Sequence, residues 1–155
     1  MTVRVIALGN PMARDDGAAL LAADRLEGAP GAEVIKAGRA GPKLLDLLDA
    51  ELPIVLLDVV RRGAPPGAIV ELCLSKLTRA TIDHEPLSSH GFGVAQSLRL
   101  REALGRPAPR GLFLGIGGAR FDPGREPTPK VAEGIDNLVA ATRAAIESLS
   151  VEGSG

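Results

Sequence analysis

Two rhythms of apolar and polar positions alternate along this chain: short apolar runs, and longer stretches with helical spacing. The run "VRVIAL" predicts a first strand, Val3 to Leu8, and "AALLAADRL" predicts a helix that starts near Asp16. A short strand, "AEVIK", and a helix, "PKLLDLLDA", come next, with Pro42 suited to a first helical turn. "PIVLLDVV" is almost continuously apolar, as in a strand covered on both faces. "AIVELCL" predicts a fourth strand, Ser75 to Ser89 a long polar connection, "GVAQSLRLREAL" a helix and "GLFLGIG" a fifth strand. The last helix is the clearest, because Thr128 can cap it and Pro129 fits its first turn. Val131, Ile135, Leu138, Val139, Ile146 and Leu149 line one of its faces, with Thr142 the only polar member of that stripe. The tail "VEGSG" is expected to fray.

The link "RRGAPPG" has seven residues. A parallel crossover needs about a dozen or more, so the fourth strand should run antiparallel to the third. The pattern therefore predicts one α/β domain over residues 1–149 and a frayed tail over 150–155. Its architecture is a three-layer αβα sandwich around a mixed five-stranded sheet. Ligands of such sheets bind at the carboxyl ends of the parallel strands, above all where the strand order reverses. If the first and third strands flank that reversal, the loop after the first and the end of the third face one crevice.

Composition narrows the partners. Net charge is −1 and the 18 basic residues are dispersed, so no nucleic-acid partner is expected. With no Trp or Tyr and three Phe, stacking platforms for bases are missing as well. No apolar run approaches the ~18 residues of a membrane span. The single Cys73 excludes an internal disulfide and a cysteine-based zinc cage. A cytoplasmic, monomeric enzyme or binding protein is the expectation.

Candidate chemistry begins at "GNPMARDDG", where Asp15 and Asp16 stand side by side before the first helix. Either can serve as helix cap or first-turn acid, which accounts for one carboxylate better than for two. Asp58 interrupts the apolar "VLLDVV" near the carboxyl end of the third strand. It is either a turn-forming Asp bonded to the next amides or a site residue, since an unpaired buried carboxylate is costly. His90 ends the long connection at "LSSHGFG", and that connection should return the chain to the carboxyl edge, beside Asp16 and Asp58. His84 is read as an idle surface residue. Two carboxylates and an imidazole make an oxygen/nitrogen site suited to Zn, Ni or Fe(II), with open positions for water or substrate. Ser88 and Ser89 lack a nucleophile-elbow context, "GIGGAR" lacks the third glycine of a dinucleotide loop, and "GNPMARDDG" is no phosphate loop.

"GNPMARDDG", Asp58 at the end of the third strand, "SSHGFG" with His90, and "GI…TPKV" before the last helix resemble the [NiFe]-hydrogenase maturation endopeptidases. The resemblance runs from about Val3 to Leu149 in the same order. It implies a phosphorylase/hydrolase-like fold and an aspartic-type, metal-dependent endopeptidase activity. It further implies that Asp16, Asp58 and His90 contact metal and carry the catalysis, while Asp15 serves the start of the helix. The substrate implied is a hydrogenase large-subunit precursor, which loses its C-terminal extension after nickel insertion. Ni(2+) would then arrive with the substrate rather than stay bound, with Zn or Cd able to replace it in vitro. Two positions depart from the family pattern. Asp16 stands where Glu is frequent, and "KAGRAG" replaces an acidic-Gly-Gly-Thr loop, placing Lys36 and Arg39 beside the presumed cleft. Two other classes remain beside this reading: a receiver-type signalling domain, which also pairs acids near the first strand with an Asp ending the third, and a non-catalytic metal-binding α/β module.

Overall fold

Seven consecutive buried residues put β3 (Ile54–Val60) at the centre of the sheet, with no side open to water. In this computed structural model, which describes residues 2–38, 42–48, 51–80 and 91–153, β3 pairs in parallel with β1 (Val3–Leu8) on one side. On its other side it pairs in parallel with β5 (Gly111–Gly117). β2 (Ala32–Gly38) lies outside β1, also parallel, and β4 (Ile69–Cys73) closes the far edge antiparallel to β5. The order is β2-β1-β3-β5-β4. It agrees with the predicted mixed five-stranded sheet and with the direction inferred for the fourth strand. A receiver-type sheet has the order 2-1-3-4-5 with β4 and β5 in line; the antiparallel β4 here excludes that alternative.

Alternation along the strands divides the core into two layers. Val3, Val5, Ala7, Val55, Leu57 and Val59 face α1 (Ala18–Leu26) and α5 (Pro129–Gly153). Ile6, Leu8, Ile54, Leu56 and Val60 face the other way, towards α2 (Pro42–Leu48), α3 (Leu74–Ala80) and α4 (Gly91–Ala103). Each buried Val, Leu or Ile among them contributes about 1.5–3 kcal/mol, so both layers are needed to hold the sheet between helices. In the α5 stripe Thr142 is fully buried, and its hydroxyl donates 2.7 Å to the Leu138 carbonyl, which satisfies the one polar member.

One expectation is corrected. Residues Ser75 to Ser89 do not begin as a loop: α3 covers Leu74–Ala80, and Leu74 and Leu77, three residues apart, are buried against the second layer. Leu74 had the look of a strand end, which hid the helical spacing. The last helix, α5, runs through Gly153, so it reaches into the segment expected as a tail. His84 and His90 lie outside the described residues, as does Arg39. Among the described residues no helix is long and apolar enough to cross a membrane.

The link from β3 to β4 passes over the end of β5. A Cβ on Gly117 would lie 2.0 Å from the Pro65 carbonyl oxygen, and Gly67 N and Gly117 O are bonded at 2.8 Å. The same link presses on α5: a Cβ on Gly134 would lie 2.4 Å from the Gly67 carbonyl oxygen. In an open helix Gly→Ala gains about 1 kcal/mol of propensity. Here the added methyl meets backbone that cannot swing away, and overpacking costs about 1–3 kcal/mol. Gly134→Ala should therefore lower the melting temperature; a rise in thermal unfolding experiments would show that the link gives way.

Candidate functional site

The strand order reverses between β1 and β3, so the loop after β1 and the end of β3 share the carboxyl edge of the sheet. β1 stops at Leu8 and Gly9 turns with φ +145, where a Cβ would come within 2.0 Å of the Asp16 carbonyl oxygen. Only glycine tolerates that approach. The loop then folds back on itself, with the Asn10 amide donating to both the Asp16 carbonyl and Asp16 Oδ2 at 3.1 Å. Asp15 and Asp16 stand in a single 3-10 turn, Arg14–Gly17, that leads into α1 and contacts β3. Arg14 enters it with φ 46, a left-handed conformation that a non-glycine residue holds only when its surroundings fix it.

Asp16 is 5 % exposed. Its Oδ2 accepts from Asn10, whereas Oδ1 is buried and meets no donor among the described residues. Leaving such an atom unsatisfied costs about 1–3 kcal/mol, more when it is charged. Asp58 is fully buried, and its Oδ1 accepts the Val59 amide at 2.8 Å. That contact is the turn-type bond foreseen as the structural role of this residue. Register places Ala7 opposite Leu57, so Asp58 is one step further towards the carboxyl edge, on the face of Leu56 and Val60. The same face receives α4, which starts at Gly91, directly after His90, and packs through Val94 and Leu98. Among the described residues no three His, Cys, Asp or Glu side chains cluster to hold a metal.

Asp15 does not do what its position suggested. Among the described residues no side chain caps the turn or α1, and the Asp15 carboxylate reaches away from its own helix. Fully buried, it accepts from the amides of Ala119 and Arg120 at 2.8 Å through Oδ2, and from the Thr128 amide at 2.7 Å through Oδ1. The Thr128 hydroxyl lies 3.1 and 3.0 Å from the two oxygens. Burial pushes this carboxyl up, but the donors from Arg120, Thr128 and Ala119 outweigh it and hold the group below its usual value. Around this contact the segment after β5 is stitched to the loop after β1. Asp15 N donates to Arg120 O, Arg14 N to Gly124 O and Gly124 N to Met12 O, while the Arg14 guanidinium pairs with Asp122 at 2.9 Å.

Beside this loop runs a groove of ≈ 360 Å³ whose walls include Gly9, Pro11, Gly17, Leu20, Leu21 and Lys36. Lys36 thus stands at the cleft, as expected, but its charge is engaged. Nζ is 2.6 Å from Asp24 and 3.9 Å from Glu27. Sequence reasoning missed this pairing, although Asp24 sits on α1, which packs against β2. At the other end of the edge Arg61 lies 4.1 Å over the ring of Phe121, a cation–π contact between the β3 end and the segment after β5.

A family model described as hydrogenase maturation protease matches residues 21–144, a span that includes Asp58 and His90 and begins after Asp16. Among solved structures, the hydrogenase maturating endopeptidase HybD from E. coli superposes with a TM-score of 0.82 at 21% identity, covering 96% of this chain and 93% of that one. The [NiFe] hydrogenase maturation protease HybD from Thermococcus kodakarensis gives 0.75 at 28% identity, covering 94% of this chain and 99% of that one. The maturation protease HycI from Thermococcus kodakarensis KOD1 gives 0.71 at 18% identity, over 94% and 92%. No curated protein sequence matches significantly.

The depressed carboxyl of Asp15 predicts an acid limb of stability. Because its folded-state pKa lies below that of the unfolded chain, its contribution is present above the unfolded value, about 3.9. That contribution is lost as pH falls through the folded value. Denaturant unfolding between pH 5 and 2 should show the slope, and Asp15→Asn should flatten it by up to one proton. An unchanged slope in that variant would mean that Asp15 is not held in its charged form by these donors.

Proposed function

The chain belongs to the hydrogenase maturation protease family, and from that premise we propose that it removes the C-terminal extension of a [NiFe]-hydrogenase large-subunit precursor after nickel insertion. In this reading the nickel comes with the substrate, and Asp16, Asp58 and His90 are the groups that read it. The observation that carries the reading is the buried Asp16 Oδ1, which meets no donor among the described residues at the edge where β3 delivers Asp58. A carboxylate oxygen kept dry and unsatisfied is suited to a cation that arrives from outside. The donor set fits as well: two hard oxygens and one imidazole nitrogen suit Ni or Zn, and three protein donors leave positions for the ligands the precursor already supplies. Asp is one methylene shorter than the Glu frequent at the position of Asp16, and the chemistry is the same.

Nickel carried by the precursor supplies Lewis acidity that polarises the scissile carbonyl or activates a water. The part played by this chain is to present the three donors, the two carboxylates from rigid supports. Asp16 is fixed by the folded-back loop, Asp58 by a central strand, and His90 comes immediately before α4. Activity would then depend on a correctly loaded precursor, since this chain contributes only part of the coordination sphere. The groove beside Gly9 and Gly17 offers a place for the flanking chain of that precursor.

Incubation of the protein with its matching precursor, with and without nickel, tests the reading by mass spectrometry. Cleavage is expected only from the loaded precursor, and Asp16→Asn, Asp58→Asn and His90→Ala should each reduce it at least tenfold. The isolated protein titrated with Ni, Zn or Cd should bind, and His90→Ala should weaken that binding at least tenfold. Cleavage of nickel-free precursor at the same rate would remove nickel from the recognition step.

Charge at the groove gives a second expectation. Lys36→Glu combined with Arg39→Glu would put a new acid beside Asp24 and Glu27 and should slow precursor cleavage several-fold, with metal binding by the isolated protein preserved. Rising salt should relieve a purely long-range effect, because the Debye length is about 10 Å at 0.1 M. A double variant that cleaves at the normal rate would place this loop outside the recognition surface.

A further inference from the structure

We propose that Asp15 is the positioning residue for Asp16: its buried carboxylate pins the turn that carries both, and thereby sets where the Asp16 carboxylate points. The proposal rests on the reading of Asp16 as a metal-contacting group only for its functional consequence, not for its geometry.

The hydrogen bonds of Asp16 all lie within its own loop among the described residues. Among the described residues its side chain has one donor, the Asn10 amide, and its own amide donates 3.0 Å to the Ala13 carbonyl within the same loop. Nothing in those contacts ties Asp16 to another part of the fold. Asp15 supplies that tie. Its two oxygens gather three amides and a hydroxyl from Ala119, Arg120 and Thr128, and its own amide donates to Arg120. These partners join the exit of β5 to the first turn of α5, both of which are anchored in the core through Ile116 and Val131.

Local geometry converts this anchoring into aim. A 3-10 turn has three residues per turn, so successive side chains point about 120° apart. Once Asp15 is committed to the segment after β5, Asp16 cannot turn the same way, and the Asn10 amide, brought close because Gly9 has no Cβ, holds the Asp16 carbonyl. The neighbouring carboxylates therefore divide the work: one is saturated with donors, so that the other can keep in a fixed place an oxygen that no donor among the described residues meets.

Asp15→Asn tests this most directly. An amide has one oxygen, so its NH₂ must face either the Ala119 and Arg120 amides or the Thr128 amide, donor against donor. Amide hydrogen exchange is the readout that does not involve metal. In Asp15→Asn the amides of Asn10 and Asp16 should exchange at least tenfold faster, while those of Val5, Leu57 and Leu138 keep their protection. Cd²⁺ titration of the same variant should show affinity reduced at least tenfold. Thr128→Val, which removes only the hydroxyl, should move both readouts in the same direction by less. Arg25→Gln, which breaks an exposed pair with Asp136 that also joins α1 to α5, should move neither.

Unchanged exchange at Asn10 and Asp16 in a folded Asp15→Asn would overturn the proposal. So would equal acceleration in the core, which marks a purely structural role. If Asp15→Asn does not fold, Thr128→Val decides by the same two criteria. If the wild type binds no Cd²⁺ while the exchange pattern follows expectation, the positioning role stands and the metal reading falls.

Discussion

Burying a carboxylate away from water is costly unless donors surround it, and the carboxyl edge of this sheet buries three. Asp15, Asp16 and Asp58 are all in that condition, two of them adjacent in sequence. Their treatment differs. Asp15 is surrounded by amides and a hydroxyl, whereas Asp16 keeps one oxygen that no donor among the described residues reaches. An unsatisfied buried oxygen costs a sizeable part of the 5–15 kcal/mol that holds an ordinary domain folded. The loop tolerates it because the residue beside it is oversupplied. A fully satisfied buried network such as that of Asp15 rigidifies its surroundings, while the same low dielectric makes the unpaired oxygen of Asp16 costly.

The sheet makes that arrangement possible. Between β1 and β3 the connections depart in opposite directions, which leaves their carboxyl ends side by side without a helix crossing over them. The loop after β1 can fold back there only because Gly9 lets the chain approach Asp16 so closely. On the other flank, the segment after β5 leans across and fastens the loop from outside. Both sides of the crevice are thus parts of one hydrogen-bonded assembly rather than two independent loops.

How far the sequence could reveal this depended on the distance over which each group acts. The strands were legible because their apolar runs are local, and the direction of β4 followed from the short span of "RRGAPPG". Asp58 stood out as a lone carboxylate in an apolar run, and its burial agrees with that. The role of Asp15 was not legible, because its partners lie 104 to 113 residues away and two of the amides it bonds come from Ala119 and Arg120, whose side chains play no part. Lys36 was seen as a cleft residue but not as a neutralised one, since Asp24 reaches it only once α1 packs on β2. α3 escaped because two leucines among polar residues give little periodicity, and the first of them continued the strand pattern.

The crossing of the β3–β4 link over Gly117 has a consequence for the order of assembly. β5 is inserted between two strands that precede it in the chain, so β3 and β4 never bond to each other. Until residues 111–117 arrive, both strands present unpaired edges, and the link that will arch over Gly117 spans an empty slot. A nascent chain that ends before Gly111 holds the β2-β1-β3 sheet with an open β3 edge, and a β4 segment whose strand partner is not yet made. Such edges invite pairing with other chains, and non-local strand closure is slow because loop entropy is lost before contacts compensate. The last strand to be made is therefore the keystone of the sheet, and the same late segment brings in the amides that Asp15 needs. Maturation of the edge that carries Asp16 is thereby tied to completion of the chain, and a partly synthesised protein carries no finished site.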